Sequence, residues 1–124
     1  MIGSTRQVRV HAYAKPADLR KGFDGLSALV AQELREDPLS GDLFLFTNRT
    51  RRRAKVLLWD GTGLCIYAKR LEQGCFACLW RERAGKSLPL TLNELQLFLD
   101  GSALIGRVAV SPPSFVQRPL ARRV

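Results

Sequence analysis

The chain has 124 residues, enough for one domain. Twenty Lys and Arg against eleven Asp and Glu give a formal charge of +9, on a background that is 46% hydrophobic and 25% charged. This excludes a multidomain enzyme, a collagen-like or coiled-coil rod and a disulfide-rich scaffold, and favours a compact basic domain with an anionic partner, most often nucleic acid. No apolar run approaches the roughly 20 residues that span a bilayer. The stretch from Met1 to His11 lacks the apolar centre and cleavage site of a leader, so a cytoplasmic location is expected and a membrane is not. Three cysteines, Cys65, Cys75 and Cys78, fit reduced thiols in such a compartment.

Val8 to Tyr13 alternates and reads as a first strand, broken by Lys15-Pro16. Asp18 is a good N-cap for a long helix over Leu19 to Arg35, whose Leu19, Phe23, Leu26, Val30 and Leu34 form one apolar stripe. Gly22 and Gly25 inside it point to close approach of the helix backbone to a sheet. Asp37-Pro38-Leu39-Ser40-Gly41 turns the chain, and strand-like runs follow at Asp42–Thr47, Ala54–Trp59 and Leu64–Arg70. Asp60-Gly61-Thr62-Gly63 joins the last two as a tight hairpin. Cys75 to Trp80 reads as a further strand of the meander.

A short second helix over Leu92 to Asp100 is well punctuated. Thr91 and Glu94 make a capping box, Leu90 and Leu95 a hydrophobic staple, and Gly101 a stop. The fold class is therefore α+β: a mainly antiparallel sheet of four or five strands with one long N-terminal and one short C-terminal helix. Residues 1–103 form this single domain, and 104–124, with three prolines, four arginines and no acid, form a basic tail. In the strands both parities are apolar, as with Phe44 and Phe46 against Leu43 and Leu45. Such a sheet must be covered on both faces, by its own helices or by a partner.

Charge is segregated along the chain. Asp24 to Asp42 holds five acids and one arginine, whereas Arg49 to Lys55 holds five bases and no acid. Arginine forks bind phosphate oxygens bidentately, so Arg49, Arg51, Arg52, Arg53 and Lys55 are the leading nucleic-acid-binding candidates. Lys69 and Arg70, after the hairpin, join them if the meander folds back on the loop. A solvated loop of gatekeeping charges between apolar strands is the plainer alternative. Cys75-x-x-Cys78 with Cys65 and His11 would complete a four-ligand zinc inventory, but a second close pair is missing. His11 reads as a strand or surface histidine, and the aspartates as cap and turn residues. No Gly-rich phosphate loop or nucleophile elbow is present, so no catalytic residue, metal or cofactor is expected.

Four runs carry a family resemblance. They are Asp18-Leu19-Arg20-Lys21-Gly22-Phe23-Asp24-Gly25-Leu26, Asp37-Pro38-Leu39-Ser40-Gly41-Asp42-Leu43-Phe44-Leu45-Phe46, Lys55-Val56-Leu57-Leu58-Trp59-Asp60-Gly61-Thr62-Gly63-Leu64-Cys65-Ile66-Tyr67, and Lys69-Arg70-Leu71-Glu72. In this order the chain, from about Val8 to Gly101, resembles the small accessory protein of insertion sequence 66 transposons, often called TnpB and unrelated to the RNA-guided nuclease of that label. The resemblance implies a bacterial mobile-element protein that supports transposition without the transposase active site, and it supplies no catalytic residues. The motif positions that transfer are Arg20, Lys21, Gly22, Phe23, Asp24, Gly25, Trp59, Asp60, Gly61, Lys69 and Arg70, mostly read as structural, with Trp59 in the core. DNA, as transposon ends or target, is the expected partner. The alternative is a protein-interaction module that docks on the element's transposase through an uncovered sheet face; homo-oligomerisation stays open.

Overall fold

The computed structural model describes residues 7–80 and 85–101. Its elements run β1 (Val10–Pro16), α1 (Phe23–Leu29), which continues as a π-helical turn (Val30–Leu34), β2 (Leu43–Thr47), β3 (Arg53–Trp59), β4 (Leu64–Arg70), β5 (Ser87–Leu90) and α2 (Leu92–Leu99). The five strands form one sheet in the order β4-β3-β2-β1-β5.

The sheet is mixed, where the sequence led us to expect a mainly antiparallel meander. β1 and β2 pair in parallel, with Val10 opposite Leu43 and Ala12 opposite Leu45, because the α1 segment carries the chain back across the sheet between them. The β2–β3, β3–β4 and β1–β5 pairings are antiparallel. The fifth strand is Ser87–Leu90, and it lies at the edge beside β1. Pro89 within it lacks an N–H, which an edge position tolerates. Cys75–Trp80 is not a strand.

Apolar residues of both parities dictate cover on both faces. On one face α1 and its π-helical extension lay Leu26, Val30 and Leu34 on Tyr13, Phe44, Phe46 and Leu57. On the other, Phe76 and Leu79 from the irregular segment join Leu95 and Phe98 of α2 over Val10, Ala12, Leu45, Ala54 and Val56. Phe76 and Phe98 stack with ring centroids 4.9 Å apart. The chain thus covers the central strands of its sheet on both sides, while Tyr67 of the edge strand β4 stays 51% exposed.

The first helix is shorter than the apolar stripe implied. Asp18 does not cap it. Its carboxylate instead takes the Arg20 amide at 3.0 Å and both ends of the Arg20 guanidinium at 2.9 and 2.8 Å, which holds residues 18–21 as a separate turn. The helix therefore starts at Phe23 with Gly22 as its N-cap. Phe23, expected in the stripe, is 50% exposed. Neither glycine marks a sheet contact. A Cβ on Gly25 would lie 2.8 Å from Lys21 Cβ, and one on Gly22 would meet nothing within 4 Å.

The local punctuation further along is as read. Asp60 N–H donates to Gly63 O at 3.0 Å, closing the β3–β4 hairpin. Thr91 and Glu94 form the reciprocal capping box at 2.9 and 3.0 Å, and Gly101 stops α2 with a φ of 88°. The expected tail, 104–124, lies outside the described residues. No helix among the described residues is long and apolar enough to cross a membrane.

The irregular 75–80 segment acts as a structural cover, so truncating its anchor opens a cavity. Phe76→Ala is expected to cost about 3–5 kcal/mol, measurable by urea denaturation; a loss below about 1 kcal/mol would contradict this packing.

Candidate nucleic-acid interface

The arginine-rich loop joins β2 to β3 and is held closed by one side chain. Asn48 Oδ1 accepts the amides of Arg52 and Arg53, both at 3.1 Å, while Asn48 O accepts the Arg51 amide at 3.0 Å. Arg51 takes a left-handed φ of 60°, uncommon for a residue with a Cβ. A reciprocal pair of bonds holds it there. The Phe76 amide donates to Arg51 O at 2.7 Å, and the Arg51 guanidinium donates to Phe76 O at 3.0 Å. Arg51 thereby latches the irregular segment onto the sheet.

Lys69 has a comparable attachment. It pairs with Ala54 on the α2 side of the sheet, and its Nζ donates to Leu99 O at 2.6 Å, at the carbonyl-rich end of α2. Arg51 and Lys69, two of the residues expected to bind nucleic acid, are thus engaged within the fold.

The remaining cations converge on the other side. Arg53, Lys55 and Arg70 share the α1-facing side of β3 and β4, because side chains alternate and Leu57 and Ile66 of the same parity pack under α1. Arg53 and Arg70 stand directly opposite each other in the β3–β4 register. Like charges facing across strands are destabilising, so this pairing is a cost that the fold itself does not require. Arg70 is offset in part by Glu72, whose carboxylate lies 3.0 Å from its guanidinium in an exposed pair worth little in water. Lys55 Nζ donates to Lys21 O at 3.0 Å, tying the turn before α1 to the sheet.

Two adjoining depressions follow from this layout. One, of about 200 Å³, is lined by Leu19, Arg53, Lys55, Ala68 and Arg70 among others. The second, of about 580 Å³, is lined by Asp18, Leu19, Arg20, Asn48, Arg49, Thr50 and Arg53 among others. Leu19 and Arg53 belong to both, so the two form one groove between the 18–21 turn and the arginine loop. Arg49, Arg52 and Arg53 are exposed, and their side chains make no hydrogen bond or ion pair among the described residues. Their forks are therefore available to phosphate oxygens.

The remaining motif residues have structural settings. Asp18 holds Arg20 at the groove wall, and the guanidinium keeps the Asp18 carboxyl well below the usual carboxylate range. Lys21 lies over Gly25, Asp24 is the acid of the first turn of α1, and Trp59 is half-buried at the end of β3. Asp60 Oδ1 accepts the amides of Thr62 and Gly63 at 2.9 and 3.0 Å, and these bonds lower its pKa to about 2. A depressed carboxyl stabilises the hairpin above its ordinary pKa and loses that contribution as pH falls toward 2. Gly61 supplies the positive φ, 108°, in this turn.

The zinc inventory does not assemble. Cys65 Sγ donates to Asp60 Oδ2 at 3.5 Å, Cys78 Sγ to Trp80 O at 3.1 Å, and His11 turns to Asp42. What the sequence hid is that last contact. His11 Nε2 lies 3.0 Å from Asp42 Oδ2, with Glu36 close by. No local signal marks it, because the residues are 31 apart in the chain and meet only through the parallel β1–β2 pairing.

Residues 8–107 match the family model described as IS66 Orf2 like protein. The chain belongs to this family. An IS66 Orf2-like protein is an accessory of insertion sequence 66 transposition and is not a known catalyst. Two similar proteins from Sinorhizobium fredii (strain NBRC 101917 / NGR234) are both named as uncharacterized. One, y4jC, is 41% identical over 76 residues, covering 61% of this chain and 65% of that protein, just under two thirds of its length. The other, y4hO, is 35% identical over 101 residues, covering 82% of this chain and 86% of that protein. No solved structure matches.

If Arg51 and Lys69 are latches of the fold, their removal registers in stability. Arg51→Ala and Lys69→Ala are each expected to lower unfolding free energy by about 1–2 kcal/mol, as for bonds to charged donors. Chemical denaturation checks this, and unchanged midpoints for both would contradict the assignment.

Proposed function

We propose that this IS66 Orf2-like chain serves transposition as a non-catalytic accessory factor that holds DNA, transposon end or target, in the groove between the 18–21 turn and the arginine loop. Arg49, Arg52 and Arg53 contact phosphate oxygens directly. Arg20 and Arg70 extend the cationic wall on either side, and Lys55 adds charge at the floor while bracing the turn. The observation that carries this reading is Arg53 standing opposite Arg70 in the strand register, a repulsion that an anion bound between them would relieve. Arg51 and Lys69 contribute to the long-range field while holding the loop and α2 in place.

A phosphate-driven interface of this kind has a steep salt dependence and little base preference of its own. Docking on the transposase through an open sheet face has less support than the groove, because α1, the 75–80 segment and α2 pack the central strands and leave mainly Tyr67 of β4 exposed.

The test is fluorescence anisotropy on a short duplex across a salt series, with wild type and an Arg49→Ala/Arg52→Ala/Arg53→Ala variant. The variant is expected to bind about 10- to 100-fold more weakly at low salt, with its log–log salt slope reduced by about one per arginine removed. Equal affinity and equal slope would overturn the assignment of this groove.

A further inference from the structure

A second feature lies outside the basic groove, at the other end of the parallel pair. His11 is the second residue of β1, Asp42 immediately precedes β2, and Glu36 follows the π-helical turn that ends the crossover. Three distant stretches of chain thus deliver one donor each to a single spot. One donor atom from each residue lies within 4.8 Å of the other two.

We propose that His11, Glu36 and Asp42 form a binding site for a divalent transition-metal ion of the Zn²⁺ class. Metal–ligand bonds of about 2.0–2.1 Å set neighbouring donors in a tetrahedral site about 3.3 Å apart. His11 Nε2 and Asp42 Oδ2 are already 3.0 Å apart, and the third donor, on the exposed Glu36 side chain, lies within 4.8 Å of both. An imidazole nitrogen among the donors favours Zn²⁺ or a similar ion over Mg²⁺ and Ca²⁺, which take oxygen ligands.

The two inner donors are held in place before any ion arrives. His11 and Asp42 are 9% and 3% exposed. The His11 ring stacks on Phe44 with centroids 5.1 Å apart and an interplanar angle of 14°. Asp42 Oδ1 accepts the Arg9 amide at 3.2 Å, which helps to orient the carboxylate, and Oδ2 lies 3.0 Å from His11 Nε2. Glu36 is placed by the backbone. Arg35 adopts a left-handed φ of 56°, and the Glu36 amide donates to Val30 O at 3.1 Å, closing the π-helical end. An ion here ties the start of β1, the end of the crossover and the start of β2 together. Three protein ligands leave a fourth position for water, reached from the exposed Glu36 side.

The competing state is the His11–Asp42 contact as it stands, without an ion and with Glu36 in solvent. Zn²⁺ titration of the full chain separates the two, read by calorimetry and by thermal melting, in wild type and in a Cys75→Ser/Cys78→Ser background that removes thiol ligands. Glu36→Gln is the decisive variant, because an exposed side chain is changed without threatening the fold. The site predicts that wild type and the double-serine protein both bind and melt higher with excess Zn²⁺, by several degrees at about 100 times Kd. It predicts that Glu36→Gln binds at least about 10-fold more weakly, and that Mg²⁺ produces no comparable shift. Absence of binding in wild type, loss of binding in the double-serine background, or equal binding by Glu36→Gln would each overturn it.

Discussion

The structure depends on one constraint: a short sheet whose strands are apolar on both faces. Phe44, Phe46 and Leu57 demand cover on one side, and Leu45, Ala54 and Val56 demand it on the other. A small chain meets both demands only by sending a helical crossover over one face and returning an irregular segment and α2 over the other. The parallel β1–β2 pair is the direct consequence, because a helix laid across the sheet carries the chain back to the same end. Charge is then expelled from both layers to the margins, and it is there that the arginine loop, the 18–21 turn and the ends of β3 and β4 meet.

That expulsion gives the cations two different kinds of work. Arg51 and Lys69 spend their donors on backbone carbonyls at Phe76 and Leu99, and so fasten the second layer to the sheet. Arg49, Arg52 and Arg53 have no such engagement among the described residues, and Arg53 even faces Arg70. A stretch of five bases in the sequence is therefore not one uniform patch. Its inward-turned member holds the loop, while Arg49, Arg53 and Lys55 line the groove. Lys55, bonded to Lys21 O, links that groove to the 18–21 turn.

The sequence disclosed what short-range chemistry decides. Asp60-Gly61-Thr62-Gly63 could be read as a hairpin because one aspartate oxygen satisfies two turn amides, and Thr91 with Glu94 because a capping box is complete within four residues. It misled where a local rule had a local competitor. Asp18 is a good N-cap by type, but Arg20, two residues on, captures its carboxylate and delays the helix to Phe23. Cys75 to Trp80 has the hydrophobicity of a strand, yet its Phe76 and Leu79 pack over the sheet instead of extending it. Pro89 disguised a real edge strand. The groove and the His11–Glu36–Asp42 cluster were invisible as units, since each is assembled by strand register between residues far apart in the chain. Only the density of arginine at 49–53 pointed toward the first, and nothing pointed toward the second.

The central claim is that the groove bounded by Arg20, Arg49, Arg53 and Arg70 is where this IS66 Orf2-like chain meets DNA. The most direct measurement is an NMR titration of the labelled protein with a short duplex at low salt, following backbone amides and arginine Nε–Hε signals together. The account predicts that the largest shifts fall on residues 18–21, 48–53 and 68–70, and that α2 and the surroundings of His11 stay still. Shifts centred on α2 or spread evenly over the chain, or none at all, would contradict it.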